Sequence, residues 1–209
     1  MLRYEQEAWA GGALRVAGVD EAGRGPLAGP VVAAAVVFER THLEREASRS
    51  LAGLTDSKQL PAARREFFFA LLSARTEVQI GVGSASVEEI DALNILRATH
   101  LAMARALAQL VPPPVLALVD GLPVHGLPVP HRAIVGGDRA SLSIAAASIV
   151  AKVTRDRWMA EWAARYPAYG FERHKGYGTR AHLDALRRHG PCPIHRRSFA
   201  PVAQLALEF

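Results

Sequence analysis

Cysteine is almost absent from this 209-residue chain. The single thiol, Cys192, excludes an intrachain disulfide, so packing alone must hold the fold, and a reducing cytoplasm suits it. No apolar run approaches the roughly 18 residues that a membrane span requires. The longest, such as Val31 to Phe38, are short and rich in Val and Ala, and read as buried strands. Met1 to Ala10 carries Arg3, Glu5 and Glu7 without an apolar stretch, so neither a secretory signal nor a membrane partner is expected. Internal repeats, low-complexity tracts and long linkers are missing too. A single domain over 1–209 is expected. The histidines are scattered and lack zinc-ligand spacing.

Half of the residues are hydrophobic, enough for a real core, and the formal net charge is +5. A basic balance points to an acidic partner, of which nucleic acid is the commonest, although charge of this size also serves plain solubility. Strand-like and helix-like segments alternate. Leu14 to Asp20 reads as a strand, followed by a Gly/Pro-rich loop, Gly23 to Pro30, and a second strand at Val31 to Phe38, which together suggest a hairpin. Pro61 opens a helix over Ala62 to Ala74, and Val78 to Gly83 is a third strand. Ser86 and Glu89 have the spacing of a capping box, and the helix they start is expected to run from Val87 to about Leu110, where Pro112, Pro113 and Pro114 stop it. Val115 to Val119 and Arg132 to Val135 are short strands. Ser141 to Arg165 is a long helix with small residues early. Thr179 caps a last helix that ends near His189, with Gly190 as its stop. The pattern is an α/β chain with one mixed sheet and a helical C-terminal part at about 166–209.

Four carboxylates sit where α/β folds build sites. Asp20 and Glu21 lie at the end of the first strand, Asp120 ends the fourth, and Asp138 lies in the turn before the long helix. Gathered in one pocket they would repel one another, and divalent cations relieve that repulsion; hard oxygen donors select Mg²⁺ or Mn²⁺. Two such ions can activate a water and stabilise the leaving oxygen in phosphodiester hydrolysis. Each residue has a plainer reading. Asp120-Gly121 could be only a turn, Asp138 a helix N-cap, and Asp20-Glu21 a solvated strand end. Neighbours in a strand also point to opposite faces, so Glu21 joins Asp20 only if the strand twists or ends there. Spacing alone leaves these alternatives open.

Longer motifs separate them. Gly18-Val19-Asp20-Glu21-Ala22-Gly23-Arg24-Gly25-Pro26-Leu27-Ala28-Gly29-Pro30 resembles the signature of bacterial ribonuclease HII. Asp56-Ser57-Lys58-Gln59-Leu60, Ile90 to Leu96, Val119-Asp120-Gly121, Ala145 to Asp156, His174 to Thr179 and Arg197 to Val202 are similar to further motifs of that family, in family order. The resemblance implies a ribonuclease H-like fold with a five-stranded mixed sheet, flanking helices and a helical C-terminal module. It places the catalytic, metal-holding carboxylates on Asp20, Glu21, Asp120 and Asp138. It implies cutting of the RNA strand of RNA–DNA hybrids, and cutting 5′ to ribonucleotides embedded in duplex DNA, leaving 3′-hydroxyl and 5′-phosphate ends. The extra N-terminal domain usual in ribonuclease HIII is not expected, since about 13 residues precede the first strand. One departure is that Gly136-Gly137 stands before Asp138 where Lys-Gly is common. A positive charge beside the metal site is then expected to be missing.

Substrate contacts follow. The 2′-hydroxyl distinguishes RNA from DNA at a site, and the backbone of Gly23-Arg24-Gly25 is bare enough to approach it. The resemblance assigns that loop to the ribonucleotide and Tyr177 to the nucleotide at the RNA–DNA junction, where an aromatic ring stacks on any base. Lys58 and Arg24 are expected on backbone phosphates, with Lys175 a further candidate. Arg187, Arg188, Arg196 and Arg197 would extend the basic surface. Asn94 and Thr99 read as buried hydrogen-bonding residues. A Lys152–Asp156 pair is expected to be structural. Gln204 to Phe209 resembles a bacterial sliding-clamp-binding peptide, against the plainer reading of a tail that folds back or frays. The chain is expected to act as a monomer. The competing class is a non-catalytic hybrid-binding module, which would gain nothing from carboxylates facing phosphates.

Overall fold

The structure, a computed structural model, describes residues 1–206; the last three residues of the Gln204 to Phe209 segment read as a clamp peptide lie outside them. A short helix α1 (Arg3–Ala10) precedes strands β1 (Val16–Ala22) and β2 (Val31–Phe38). Then come α2 (Arg40–Glu46), α3 (Ala62–Ser73), β3 (Val78–Ala85), α4 (Val87–Leu93), α5 (Ile95–Ala108), β4 (Leu116–Asp120), β5 (His131–Ile134), α6 (Leu142–Arg165), α7 (Phe171–His174), α8 (Arg180–His189) and α9 (Ala200–Ala206). The sheet order is β3-β2-β1-β4-β5. β1 and β2 form the expected antiparallel hairpin, β3 continues it, and β4 and β5 run parallel to β1. The five-stranded mixed sheet with flanking helices is the architecture expected from the sequence.

Both faces of the sheet are covered, which explains why every residue of β2 is buried and why its sequence is all Val, Ala and Phe. Val16, Ala34, Val36 and Leu118 pack under α6 with Ile144, Ala147 and Ala151. Ala17, Val19, Ala33, Ala35 and Val119 pack under α5 with Ala98, Ala102 and Ala106. Small residues let the helices lie directly on the strands. A Cβ at Gly18 would come within 2.0 Å of the Ser143 carbonyl carbon, so β1 and α6 touch backbone to backbone. The far half of α6 leaves the sheet and builds a third cluster. In it Met159 and Ala163 meet Phe171, Leu186, Ile194 and Val202, and also Leu27 and Ala28 from the β1–β2 loop.

Several local expectations hold in detail. Ser86 and Glu89 form a reciprocal capping box, and the Thr179 hydroxyl accepts from the His182 amide. The long helix starts one residue later than expected, with Ser141 as its cap. Others change. β1 does not end at Asp20 but continues through Glu21 to Ala22. The single helix expected from Val87 to Leu110 breaks at Asn94, where φ is +70° and the side chain accepts from the Leu96 and Arg97 amides. Asn tolerates that conformation better than other side chains and caps the new helix, so it is an exposed cap rather than a buried residue. Thr99 is buried and its hydroxyl donates to the Ile95 carbonyl. Helices α1 and α2 were not anticipated. The reason α1 forms is visible in Glu5, a fully buried carboxylate that accepts from the Ser141 hydroxyl (2.6 Å) and the Ser143 amide (2.9 Å) and so anchors α1 on the start of α6. Among the described residues no helix is long and apolar enough to cross a membrane.

Candidate active site

β1 and β4 are parallel and pair from Val16↔Leu116 to Val19↔Val119. The next residues in that register are Asp20 and Asp120. By alternation both point to the α6 side, because Val16 and Leu118 do. Two carboxylates one hundred positions apart are thereby placed side by side at the C-terminal ends of parallel strands. Asp138 joins them from a single 3₁₀ turn, Gly137–Arg139, between β5 and α6. The Gly137 amide donates to Asp120 Oδ1 (2.7 Å) and ties that turn to the strand end. One oxygen from each of Asp20, Asp120 and Asp138 lies within 4.8 Å of the others.

The plainer readings fail on this geometry. Asp20 is 5% exposed, not a solvated strand end. Asp120 bonds across to another loop rather than closing its own turn. Ser141, not Asp138, caps the long helix.

Glu21 stands apart. Alternation turns it toward the other face, and it is not one of the three clustered residues. Its Oε1 lies 3.5 Å from Arg24 Nη1, in the cleft lined by Gly23, Gly25, Lys58 and Tyr177.

The electrostatics fit a cation. Burial, then the charges of Glu21 and Asp120, push Asp20 well above the usual carboxylate range, against the Glu21 amide that donates to it (2.7 Å) and the Ser148 hydroxyl. Burial raises Glu21, with Asp120 adding and Arg24 opposing. Burial, then Asp120 and Asp56, raise Asp138, while Lys58 and Arg139 oppose. Crowded carboxylates with raised proton affinity are the donor set a hard divalent cation relieves. No thiol or imidazole belongs to the cluster among the described residues. The side chains present therefore fit Mg²⁺ or Mn²⁺. The positive charge expected to be missing before Asp138 is present from the other side: Arg139 Nε lies 3.8 Å from Asp138 Oδ1. Its guanidinium also lies 3.1 Å from where a side chain on Gly136 would begin.

Beside the carboxylates opens a cleft of about 550 Å³. The expected substrate residues Gly23, Arg24, Gly25, Lys58 and Tyr177 all line it. Tyr177 is 43% exposed, and its ring lies against Gly25, 3.7 Å from where a Cβ would be. Asp56 holds the Lys58 loop by accepting from the Lys58 amide (2.9 Å). Lys152 also lines the cleft, and its ammonium is held by Asp156 (2.8 Å), the structural pair expected. Ser57 and Ser148, which share a hydrogen bond (2.8 Å), were not singled out as site residues. Arg187, Arg188 and Arg197 are exposed, but Arg196 is not part of a basic surface: it is fully buried, with its donors on backbone carbonyls. Nothing in a run of arginines distinguishes the one that turns inward.

Sheet order, covered faces and a carboxylate cluster at parallel strand ends mark the ribonuclease H-like fold. Ribonuclease H2 from Pyrococcus horikoshii superimposes with a TM-score of 0.75 at 29% identity, over 93% of this chain and 98% of that one. Ribonuclease HII from Archaeoglobus fulgidus, solved in complex with PCNA, gives 0.70 at 28% identity, over 88% and 94%. The model of the ribonuclease HII family matches residues 17–202. The ribonuclease HII of Geobacillus kaustophilus is 54% identical over 205 residues, 98% of this chain and 75% of the relative. The chain belongs to the ribonuclease HII family, and with it is an endonuclease of the ribonuclease H class, not a silent hybrid-binding module.

Proposed function

We propose that the protein nicks duplex DNA on the 5′ side of an embedded ribonucleotide, as well as cutting longer RNA–DNA hybrids, and so serves to remove misincorporated ribonucleotides from DNA. The observation that carries this reading is the meeting of the Asp20–Asp120–Asp138 oxygens, within 4.8 Å of one another, with a cleft walled by Gly23-Arg24-Gly25 and Tyr177. Asp20, Asp120 and Asp138 would hold two Mg²⁺ or Mn²⁺ ions, with Glu21 completing the set from the cleft side. Such ions supply a water of lowered pKa and neutralise charge on the leaving oxygen. The chain's own groups do the positioning. Lys58 and Arg24 take backbone phosphates, which fixes the duplex without reading its sequence. The bare Gly23–Gly25 backbone, which lines the cleft, would meet the 2′-hydroxyl. Tyr177 stacks on the neighbouring base or sugar and tolerates any sequence. The products are a 3′-hydroxyl and a 5′-phosphate. The Gln204 to Phe209 segment would dock on a sliding clamp; its sequence and the PCNA complex of the Archaeoglobus relative support that.

The test is a labelled duplex with one ribonucleotide, given Mg²⁺ or Mn²⁺, with wild type beside Asp120→Asn. Wild type should nick 5′ to the ribonucleotide, with nothing cut in an all-DNA duplex or with chelator, and Asp120→Asn should lose at least about a thousandfold in rate, about 4 kcal/mol of barrier. Cutting of long hybrids but never of the single-ribonucleotide duplex would overturn the repair reading. Full activity of Asp120→Asn would overturn the metal-site assignment.

A further inference from the structure

Among the described residues, Arg155 and Arg196 are buried without a carboxylate partner. Arg155, 1% exposed, donates through Nε to the Pro30 carbonyl, through Nη2 to Ala28 and through Nη1 to Lys175, each at 3.0 Å. Arg196, 0% exposed, donates through Nε to the Gly29 carbonyl and through Nη1 to Arg24, both at 2.9 Å, and through Nη2 to the Gly23 carbonyl. Burying a guanidinium is costly unless its donors are satisfied. Here every guanidinium nitrogen donates to a backbone oxygen, and five of the six oxygens belong to the β1–β2 loop. The sixth lies two residues before Tyr177. Burial pushes Arg155 down to about 10 and Arg196 down to about 9, which leaves both protonated at neutral pH.

The direction of these bonds has a consequence for the cleft. A trans peptide is planar, with its C=O and N–H pointing opposite ways. Drawing the Gly23 and Arg24 carbonyls inward onto Arg196 turns the amides of Arg24 and Gly25 outward. Both residues are exposed on the cleft, and among the described residues neither amide has an acceptor. Gly23 itself admits no side chain, because a Cβ there would fall 2.0 Å from Arg155 Nε. The same guanidinium bonds the Lys175 carbonyl, so one cation sets the loop and the approach to Tyr177 together.

We infer that Arg155 and Arg196 are positioning residues for ribonucleotide recognition, holding the Arg24 and Gly25 amides aimed into the cleft as donors for the 2′-oxygen and its adjoining phosphate. This rests on the proposed reading of the Gly23–Gly25 loop. Arg196 sets the amides, and Arg155 couples them to the aromatic wall.

The test measures binding in an Asp120→Asn background, so that the duplex survives with Mg²⁺ present. Fluorescence anisotropy compares a duplex carrying one ribonucleotide with the same duplex in all DNA. The background should prefer the ribonucleotide duplex. Adding Arg196→Met should cut that preference about tenfold, the value of one well-made hydrogen bond, while all-DNA affinity, set by phosphate contacts, stays the same. Arg196→Lys keeps the buried cation but cannot span three carbonyls, and should lose most of the preference too; it is the variant read if circular dichroism shows Arg196→Met unfolded. An unchanged preference in a folded variant overturns the inference, as does an equal fall for both duplexes, which marks a merely structural role. Absence of any preference in the background itself overturns the substrate reading, and the inference with it.

Discussion

Asp20→Asn is expected to make the metal-free protein more stable while removing its metal response. Asp20 is 5% exposed and shares a 4.8 Å oxygen cluster with Asp120 and Asp138. At that separation two unit charges repel by about 3.5 kcal/mol at an effective dielectric of 20 and by about 0.9 kcal/mol in bulk water. Asp20 takes part in two such pairs. The full sum is never reached, because a crowded carboxylate protonates instead, as its raised proton affinity shows. A net gain of roughly 2 kcal/mol for the neutral isostere follows, or about 4–8 °C in Tm for a chain of this length. Asparagine keeps an acceptor for the Glu21 amide that now bonds Oδ1 (2.7 Å), so little else is lost. The sign depends on pH. Because the native carboxyl holds its proton to higher pH than the unfolded chain, wild-type stability falls as pH rises from the unfolded value of about 3.9 toward the raised native one. The advantage of Asp20→Asn should therefore be small near pH 4 and grow as the pH rises to 7. Thermal unfolding with chelator at both pH values, then with Mn²⁺, measures this. Wild type should gain Tm with Mn²⁺ and the variant should not. A variant no more stable than wild type at pH 7, or one with the same advantage at pH 4, refutes the reasoning.

Other outcomes follow from the same geometry. Cutting should fall off on the acid side more steeply than one proton allows, since Asp20, Glu21 and Asp138 all hold protons above the usual range and must release them to bind metal; raising Mn²⁺ should move that limb to lower pH, and a limb indifferent to metal concentration would contradict it. Gly137→Ala puts a Cβ 2.6 Å from Ile144 Cδ1 and 3.4 Å from Asp120 Oδ1; it should cost about 1–3 kcal/mol in urea unfolding and weaken Mn²⁺ binding by calorimetry, because the displaced turn carries Asp138. Tyr177→Ala should lose about 1–3 kcal/mol of binding to the ribonucleotide duplex, while Tyr177→Phe retains it; equal loss in both would show that the hydroxyl, not the ring, is what matters.

Most of the elements were legible in the sequence. Five strands, the long α6 and the caps at Ser86 and Thr179 follow from alternation, from small-residue runs and from side chains that cap the backbone of the helix they start. The carboxylates and the glycine loop were legible because they lie in extended motifs. Local pattern missed α1, whose helix rests on a Glu5 contact with α6 well over one hundred residues away. It missed the break at Asn94, where one side chain outweighs an otherwise continuous helical period. Which groups meet depends instead on the packing of distant segments. Asp20 and Asp120 become neighbours through a parallel register, and Asp138 through an amide of the adjoining turn. Glu21 faces the cleft rather than the cluster because the strand does not end before it. Arg139 supplies a charge that the residues before Asp138 lack. Arg196, which read as a surface cation, and Arg155 turn inward because loop carbonyls from distant segments converge on them. Burial and non-local pairing depend on where separate segments pack, and a residue's neighbours in sequence do not carry that information.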